Sequence, residues 1–282
     1  MTISVYITSY NQRDFLVESI KSVLDQTLQP HEIIVVDDAS TDGSQAVIKE
    51  FADEHPIIKY RFHLKNKGVA ETRRTALSMV EGDLVTYVDG DDLYLPHKLE
   101  LEHRLIVQTA SDVVFSNNVY VKEQNPDVDL WVWIGQNIEI DLKGNLFVKT
   151  LTRDYPNSSL FRMEMIKRSF LEKIGYHDPN LKIYEDYDLR IRLSKSARMA
   201  YSKEITSKIR YSKAGLSKSG NELHYKSLSY IFNKYKNDVA NLDPKIQEKV
   251  LAKQNEILEH YRPKRSNLSA GLFKKILRKM KK

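Results

Sequence analysis

Residues 84–92 read Leu84-Val85-Thr86-Tyr87-Val88-Asp89-Gly90-Asp91-Asp92, an apolar run that ends in three acids. The run predicts a buried strand over Leu84–Val88, because a half-exposed strand would alternate apolar and polar residues. Three acids so close together repel each other unless a cation or hydrogen-bond donors compensate. The spacing of Asp89 and Asp91 lets both carboxylates approach one hard cation such as Mg²⁺ or Mn²⁺. The alternative is a solvated acidic turn that caps the following helix.

The same pattern extends on both sides of this stretch, as short apolar runs alternate with helical periods. Strands are predicted over Ile3–Thr8, His31–Asp37, Ile57–Leu64 and Val113–Phe115, and helices over Asp14–Gln26, Val69–Val80 and Lys98–Val107. Such alternation predicts an α/β fold, with a Rossmann-like, mostly parallel central sheet flanked by helices. Ligands of these sheets bind at the carboxyl ends of the strands.

The pattern loosens after residue 116. Residues 120–150 contain both tryptophans, Trp131 and Trp133, and suggest a long covering loop or a hairpin. Helices are predicted over Met163–Ile174 and Asp186–Ser196, and two further helical pieces lie within 225–261, separated at Asn241–Pro244.

Composition excludes several classes of protein. The 282 residues are 41% hydrophobic, which supports a folded core, and none is cysteine. The absence of cysteine excludes disulfides, thiol catalysis and cysteine-ligated zinc, and it fits a reducing compartment. No apolar run approaches the ~18 residues of a membrane span, and the N-terminus shows no secretory signal. We therefore expect a cytoplasmic protein.

The net charge of +6 is concentrated in a basic tail, residues 263–282, which contains eight Lys and Arg and no acid. The first 262 residues hold 36 basic and 38 acidic residues, so no nucleic-acid-binding body is expected. Within the tail, residues 268–282 combine an apolar helical face with flanking Lys and Arg. This pattern predicts a helix on a membrane surface, at the cytoplasmic face of the plasma membrane. The alternatives are a solvated terminus or a docking helix for another subunit.

Arg73 falls inside the apolar arc of its predicted helix, which Val69, Ala76 and Leu77 define. A buried guanidinium needs an anionic partner. The preceding turn, Asn66-Lys67-Gly68, offers backbone N–H groups and a helix N-terminus that favour phosphate. The alternative is an arginine that reaches the surface beside Arg74.

Two further groups are candidates for chemistry. Glu185 and Asp186 open a predicted helix, where acids ordinarily cap the helix but where one could serve as a general base. Tyr10, at the end of the first strand, could stack on a planar base or pack in the core. Other motifs are missing: the chain has no Gly-x-Ser-x-Gly elbow, no Gly-x-Gly-x-x-Gly after a strand and no Walker A loop. Its histidines lack metal-binding spacing, and His224 is expected at the surface.

Six strings, taken together, resemble family 2 of the inverting, nucleotide-sugar-dependent glycosyltransferases, which have the GT-A fold. In chain order they are SVYITSYNQ, IIVVDDASTDGS, NKGVAETRRTAL, VTYVDGDDLYLP, SSLFRMEMIKRSFLEKIGYHD and YEDYDLRIRL. The resemblance extends from residue 3 to about residue 217.

The resemblance implies roles for individual residues. The residues that would bind the donor and its metal are Thr8, Tyr10 and Asp38 in the nucleoside pocket, Gly68 and Arg73 at the diphosphate, Asp89 at the ribose and metal, and Asp91 at the metal. Asp186 matches the catalytic base, and Glu185 beside it is an acceptor-side candidate. Independently of the resemblance, Trp131 and Trp133 are acceptor-side candidates because aromatic faces stack on sugar rings, and core packing is the alternative for both. Two positions depart from the family pattern: Arg74 adds a positive charge, and Ser212 stands where a histidine is common.

The implied activity is transfer of a sugar, most commonly from a uridine diphosphate donor, to a hydroxyl of a glycan or lipid-linked acceptor in surface polysaccharide synthesis. The cofactor would be Mn²⁺ or Mg²⁺. The implied organisation is a GT-A domain over 1–220, with a nucleotide-binding half (1–115) and an acceptor half (116–220). A helical extension (221–262) and the basic tail follow. The alternatives are a non-catalytic nucleotide-sugar-binding scaffold and a sugar nucleotidyltransferase.

Overall fold

The computed structural model describes residues 1–135, 137–143, 146–155, 161–212, 215 and 218–263. The chain divides into two units, Met1–Lys218 and a second that begins at Ser219. The first unit contains one curled sheet with helices, and this confirms the predicted α/β class. The second unit is helical in its described part.

The elements of the first unit alternate as the sequence predicts over its first 115 residues. The strands are β1 (Ile3–Ser9), β2 (Glu32–Asp37), β3 (Ile58–Phe62), β4 (Leu84–Asp89), β5 (Leu93–Tyr94), β6 (Val113–Lys122), β7 (Asn125–Val132), β8 (Met165–Lys167) and β9 (Met199–Tyr211). The helices are α1 (Arg13–Leu24), α2 (Ser44–Glu54), α3 (Val69–Leu77), α4 (Lys98–Thr109), α5 (Leu146–Leu151), α6 (Arg168–Ile174) and α7 (Glu185–Ser194).

Strand order places the candidate residues together. The sheet runs β3-β2-β1-β4-β8-β6-β9-β5, with β7 paired to β6. The first four strands are parallel, and on β2, β1 and β4 the apolar residues, such as Ile33 to Val36 on β2, are buried, whereas the edge strand β3 is largely exposed. Burial on both faces explains why these runs are uniformly apolar. The carboxyl ends of β1, β2 and β4 therefore meet at one edge.

Two predictions require correction, and a third is confirmed. The predicted helix Met163–Ile174 is half strand: β8 fills the gap between β4 and β6, antiparallel to both, and only Arg168–Ile174 is helical. The predicted strand Val113–Phe115 continues to Lys122, because β9, which the sequence pattern did not reveal, pairs along its whole length. Residues 120–150 do contain a hairpin, formed by β6 and β7.

The second unit holds α8 (Asn221–Lys234), α9 (Lys236–Ala240) and α10 (Pro244–Tyr261). The predicted break before Pro244 is confirmed, and Asp243 caps α10 by accepting from the backbone N–H of Lys245. His224 is buried and stacks on Tyr261 at 4.7 Å between ring centroids, which contradicts its predicted surface position. In the described part of the chain, no helix combines the length and apolar character needed to cross a membrane. The membrane prediction for 268–282 concerns residues outside the described ranges.

Candidate active site

The site begins where β1 and β4 end side by side. In their parallel register Thr8 lies opposite Asp89, and the Thr8 hydroxyl donates to Asp89 Oδ1 at 3.4 Å. Asp37, at the end of β2, pairs with Ser9 of β1. Asp37 is buried and accepts from Ser40 and Gln45, so it serves the local turn.

Arg73 is buried, as its place in the apolar arc predicts. Its Nη2 donates to Asp89 Oδ1 at 2.8 Å, its Nε lies 3.7 Å from Glu185 Oε1, and its guanidinium lies over the Tyr87 ring at 4.5 Å. Burial alone would lower the pKa of Arg73, but the charges of Asp89 and Glu185 outweigh it and raise the pKa above its ordinary value. Nε and Nη1 form no hydrogen bond within the described part of the chain. The group therefore keeps donor capacity for an anionic ligand.

Asp38 fastens the loop before α3. Its Oδ1 accepts from the Lys67 backbone N–H at 2.9 Å, and its Oδ2 accepts from that of Gly68 at 2.8 Å. Gly68 has a φ of +86°, which an L side chain rarely adopts. The His63 ring, itself buried, lies 2.7 Å from Asp38 Oδ1 through its Nδ1. Asp38 thus fixes the backbone that leads to Arg73.

The acids after β4 lie in an environment that disfavours their ionised forms. Burial, followed by the charge of Asp89, raises the pKa of Asp91 to about 6. Burial and the charge of Asp91 raise the pKa of Asp92 well above its usual value. Asp92 Oδ1 accepts from the Arg210 backbone N–H at 2.8 Å, and Arg210 Nη1 donates to the Asp91 carbonyl at 2.6 Å. Arg210 therefore connects β9 to the acidic turn.

Glu185 and Asp186 open α7 but differ in environment. The Asp186 side chain is 32% exposed, and it accepts from the Tyr187 backbone N–H and from Arg190 Nη1, each at 2.7 Å. Burial alone would raise its pKa, but Arg190, Arg73 and Arg162 hold it below the ordinary value. The Glu185 side chain is only 7% exposed, and burial raises its pKa to about 7 despite Arg73. Asp186 is the more accessible and the more fully ionised of the two.

Two cations of this site are missing from the sequence-based candidates. Arg190 lies 3.8 Å from Glu164 and donates to the Tyr87 hydroxyl at 3.3 Å. Arg162 donates to the Tyr120 hydroxyl at 3.0 Å, and its charge acts on Asp91, Asp92 and Asp186. The one available signal for Arg190 is its spacing of four residues from Asp186 on a helix. Nothing in the pattern around Arg162 distinguishes it from a surface arginine.

The aromatic candidates separate into exposed and buried residues. Tyr10 is 49% exposed at the strand ends, which leaves its ring available for stacking. Trp131 is 42% exposed on β7, whereas Trp133 is 2% exposed and packs within the core cluster. The core-packing alternative holds for Trp133, and only Trp131 offers a ring face to an acceptor.

The structure brings Thr8, Arg73, Asp89 and Glu185 into a chain of direct contacts, with Asp186 next to Glu185. Asp38 and Gly68 join at the same sheet edge through the loop before α3. Within the described ranges, no three His, Asp or Glu side chains form a group with metal-binding geometry. Asp89 already pairs with Arg73, whereas burial raises the pKa of both Asp91 and Asp92 above the ordinary value.

Comparison with known proteins agrees with this geometry. The family model described as Glycosyl transferase family 2 matches residues 4–170. An uncharacterized glycosyltransferase of Haemophilus influenzae is 28% identical over 239 residues, which cover 83% of this chain and 87% of that protein. TuaG of Bacillus subtilis, named for teichuronic acid biosynthesis, is 28% identical over 139 residues, or 49% of this chain and 55% of TuaG. A cholesterol galactosyltransferase of Borreliella burgdorferi is 37% identical over 114 residues, 40% of this chain and 32% of that protein.

Solved structures share the fold. TarS of S. aureus superposes with a TM-score of 0.66 at 21% identity, over 95% of this chain and 45% of TarS. A shorter TarS, residues 1–349, in complex with UDP gives 0.64 over 93% of this chain and 70% of that one. The mannosyltransferase PcManGT of Pyrobaculum calidifontis, in complex with GDP-Man and Mn²⁺, gives 0.59 at 19% identity, over 97% and 78% of the two chains. This chain spans less than half of full-length TarS and about half of TuaG.

Proposed function

The chain belongs to glycosyl transferase family 2, and we propose that it transfers a sugar from a nucleoside diphosphate donor to a hydroxyl of a glycan or lipid-linked acceptor. The two buried Arg73 nitrogens without a hydrogen bond in the described residues carry this proposal. A buried donor without a partner is costly, and the diphosphate of an activated sugar supplies acceptors for both nitrogens. A uridine donor is supported by the TarS complexes with UDP and UDP-GlcNAc.

The donor would lie along the carboxyl ends of β1, β2 and β4. We assign the nucleoside to Thr8, Tyr10 and Asp38, with the exposed Tyr10 ring against the base. Gly68 and Arg73 would face the diphosphate, and Asp89 would serve the ribose. These residues lie in the half formed by 1–115, and the acceptor would be held by 116–220. A protein that binds the donor at this site but lacks a catalytic base would be a non-catalytic scaffold. The presence of a catalytic base therefore distinguishes a glycosyltransferase from a donor-binding scaffold.

Asp186 is the proposed general base. It is ionised, its side chain is accessible, and Arg190 fixes its orientation through the contact at 2.7 Å. Asp186 would take the proton of the acceptor hydroxyl as that oxygen attacks the anomeric carbon, while the bond to the diphosphate oxygen breaks. One such displacement inverts the anomeric configuration through an oxocarbenium-like state. Glu185, buried against Arg73, cannot reach an acceptor that stays in solvent, and it would support the acceptor side indirectly.

The acidic turn fits a divalent cation. Asp89 and Asp91 lie two residues apart in the chain and would supply hard carboxylate oxygens to Mn²⁺ or Mg²⁺. Burial, followed by the charge of Asp89, raises the pKa of Asp91, so a bound cation would favour its ionised form. When bound, such a cation supplies Lewis-acid neutralisation of the leaving diphosphate. The PcManGT complex with Mn²⁺ supports this assignment.

A thermal-shift screen of nucleoside diphosphates and nucleotide sugars, with and without Mn²⁺, tests donor binding directly. We expect Asp186→Asn to keep the donor-induced shift and to lose transfer, and Asp91→Ala to lose the Mn²⁺-dependent part of that shift. Asp53→Asn, an exposed acid on α2, is the matched control and should change neither.

The products distinguish the alternatives. Release of nucleoside diphosphate supports glycosyl transfer, whereas pyrophosphate chemistry would assign the chain to sugar nucleotidyl transfer. Donor binding without any turnover would favour the scaffold. Full activity of Asp186→Asn would refute the assignment of the base.

The name of one relative, TuaG, refers to teichuronic acid biosynthesis and supports a role in surface polysaccharide synthesis. We propose a cytoplasmic site of action, with residues 268–282 holding the protein at a membrane that presents the acceptor. Unchanged recovery in the membrane fraction at low salt after deletion of 264–282 would refute this attachment.

A further inference from the structure

Tyr87, on β4 two residues before Asp89, contacts two of the arginines of the site. The guanidinium of Arg73 lies over its ring, with Cζ 4.5 Å from the ring centroid. Arg190 Nη2 donates to its hydroxyl at 3.3 Å. All three side chains are buried, and cation–π contacts and hydrogen bonds are stronger when they are shielded from bulk water.

These contacts belong to a closed chain that includes both acids of α7. Arg73 Nε lies 3.7 Å from Glu185 Oε1, and Arg190 Nη1 donates to Asp186 Oδ2 at 2.7 Å. Glu185 and Asp186 are consecutive residues, and each contacts one of the two arginines that Tyr87 contacts. The arginine on the donor side and the arginine on the base are therefore connected both through α7 and through one tyrosine of β4.

Tyr87 is itself held by the sheet. It is the register partner of Tyr6 on the parallel strand β1, and the two rings stack with centroids 5.5 Å apart and planes at 19°. Its carbonyl accepts from the Tyr94 hydroxyl at 2.5 Å. Burial, followed by the charge of Glu164, raises the pKa of the Tyr87 hydroxyl to about 12, so this group stays protonated. The strand thus presents one fixed ring face and one neutral hydroxyl to the two arginines.

The Tyr87 hydroxyl competes with a carboxylate for Arg190. Arg190 Nη2 lies 3.3 Å from that hydroxyl and 3.8 Å from Glu164 Oε2. Glu164 is buried, and its Oε2 forms no hydrogen bond within the described residues. A buried carboxylate oxygen attracts a guanidinium strongly. Loss of the hydroxyl should therefore let Arg190 move toward Glu164 and away from Asp186.

We infer that Tyr87 is a positioning residue that serves both the donor and the general base. Its ring holds Arg73, which would face the diphosphate, and its hydroxyl holds Arg190, which orients Asp186. This inference rests on the proposed function for the roles of Arg73 and Asp186. The alternative is a core tyrosine whose contacts only stabilise the fold.

Two substitutions separate the ring from the hydroxyl. Tyr87→Phe keeps the ring, so the affinity for UDP, measured by calorimetry with Mn²⁺, should stay within about 2-fold of the wild type. Hydrolysis of UDP-glucose, UDP-galactose and UDP-GlcNAc, with water in place of the acceptor, should show kcat lowered about 3- to 30-fold and KM nearly unchanged. Tyr87→Leu loses the ring as well and should also weaken UDP binding about 3- to 30-fold.

Tyr201→Phe is the matched control. It removes the hydroxyl of a tyrosine on β9 that makes no hydrogen bond within the described ranges. We expect it to change neither the UDP affinity nor kcat. All measurements are made at a temperature at which each variant is folded, so that a loss of stability does not enter kcat.

An Arg190→Gln background distinguishes positioning from a purely structural role. If the hydroxyl acts through Arg190, adding Tyr87→Phe to Arg190→Gln should lower kcat by less than about 2-fold. The same loss in both backgrounds would overturn the inference, because the hydroxyl would then act independently of Arg190. Wild-type kcat in Tyr87→Phe, or equal weakening of UDP binding by the Phe and Leu variants, would also overturn it.

Failure of the proposed function gives a different set of results. If the wild type neither binds UDP nor hydrolyses any of the three sugar nucleotides, the donor site is refuted and this inference falls with it. If the wild type does both and the two Tyr87 variants match it, only this inference is refuted. A crystal structure of Tyr87→Phe requires no turnover: we expect Arg190 to lie closer to Glu164, and an unchanged contact between Arg190 and Asp186 would overturn the inference.

Discussion

Substitution of Glu185 by glutamine should change the stability relative to the wild type in a pH-dependent way, and the change should favour the variant more as the pH rises. Glu185 is buried beside Arg73 and Asp186, and burial raises its pKa from 4.5 to about 7. The folded state therefore binds the proton more tightly than the unfolded state does. The contribution of this group to stability is complete below pH 4.5 and is lost as the pH rises through 7. Glutamine resembles the protonated form of Glu185 at every pH, so the variant does not lose this contribution to stability as the pH rises.

The magnitude follows from the pKa difference. A shift of 2.5 units corresponds to about 3.4 kcal/mol when both states are fully titrated. Between pH 5 and pH 8 the change in this contribution is about 2.5 kcal/mol. For a chain of this size, 1 kcal/mol corresponds to roughly 2–4 °C in Tm.

The assay is urea denaturation of the wild type and Glu185→Gln at pH 5 and pH 8. The quantity compared is the difference between the two proteins in free energy of unfolding. In this difference the contributions of titrating groups distant from Glu185 cancel, whereas those of its neighbours Asp186 and Arg73 do not cancel fully. Glu172→Gln, which removes an exposed ion pair with Arg168, is the matched control and should show a difference of about 0–1 kcal/mol with little change between the two pH values. If the difference between wild type and Glu185→Gln were the same at pH 5 and pH 8, Glu185 would be ionised at both, and the description of its environment would be incorrect.

Two further substitutions test the supports of the site. Gly68→Ala should lower the free energy of unfolding, measured by urea denaturation, by about 1–3 kcal/mol, because Gly68 has a φ of +86°. Gly220→Ala is the control: this glycine has an ordinary φ and open space around it, so its substitution should be near neutral. Equal effects at the two glycines would refute this reasoning. Lys98→Met should lower the free energy of unfolding by about 3–5 kcal/mol, because it leaves the buried Glu102 carboxylate without its ammonium partner at 2.6 Å. The double variant Lys98→Met with Glu102→Leu removes that carboxylate as well and should recover a large part of the loss in Tm. A double variant less stable than the single one would show that the ion pair is not the cause.

The sequence predicts the donor half of the fold better than the acceptor half, for a physical reason. In the first half β1, β2 and β4 are buried on both faces, so uniform apolar runs such as Ile33 to Val36 identify them. In the second half β7 and β9 are largely exposed or half-buried, and β6, although mostly buried, pairs with them irregularly. The register of β6 against β9 shifts between Ser116 and Asn118, and such bulges disrupt the alternation that a sequence pattern depends on. The three-residue β8 is too short to have any periodicity.

The same distinction holds within the site. Arg73 is recognisable because a charged residue in an apolar arc is an anomaly. Arg162 and Arg210 are not recognisable in the sequence, because their partners lie far away along the chain. Arg162 donates to the Tyr120 hydroxyl, and Arg210 donates to the Asp91 carbonyl. Local patterns carry no information about contacts made only by tertiary folding. The acids of the site were therefore predictable, and most of the cations that balance them were not.

The charge balance of the site constrains how donor and cation bind. In the described part of the chain, four guanidinium groups of the site face seven carboxylates: Arg73, Arg162, Arg190 and Arg210, with Glu18, Asp89, Asp91, Asp92, Glu164, Glu185 and Asp186. If all were ionised, these seven carboxylates would exceed the four guanidinium groups by three. Burial is the main cause of the raised pKa of Asp91 and of Glu185, and the charges of Asp89 and Asp186, respectively, add to it. A nucleoside diphosphate adds further negative charge, so its entry is unfavourable unless a divalent cation enters with it. Donor and cation should therefore raise each other's affinity by the same factor, which makes the Mn²⁺-dependent part of the donor-induced thermal shift the most direct measure of this site.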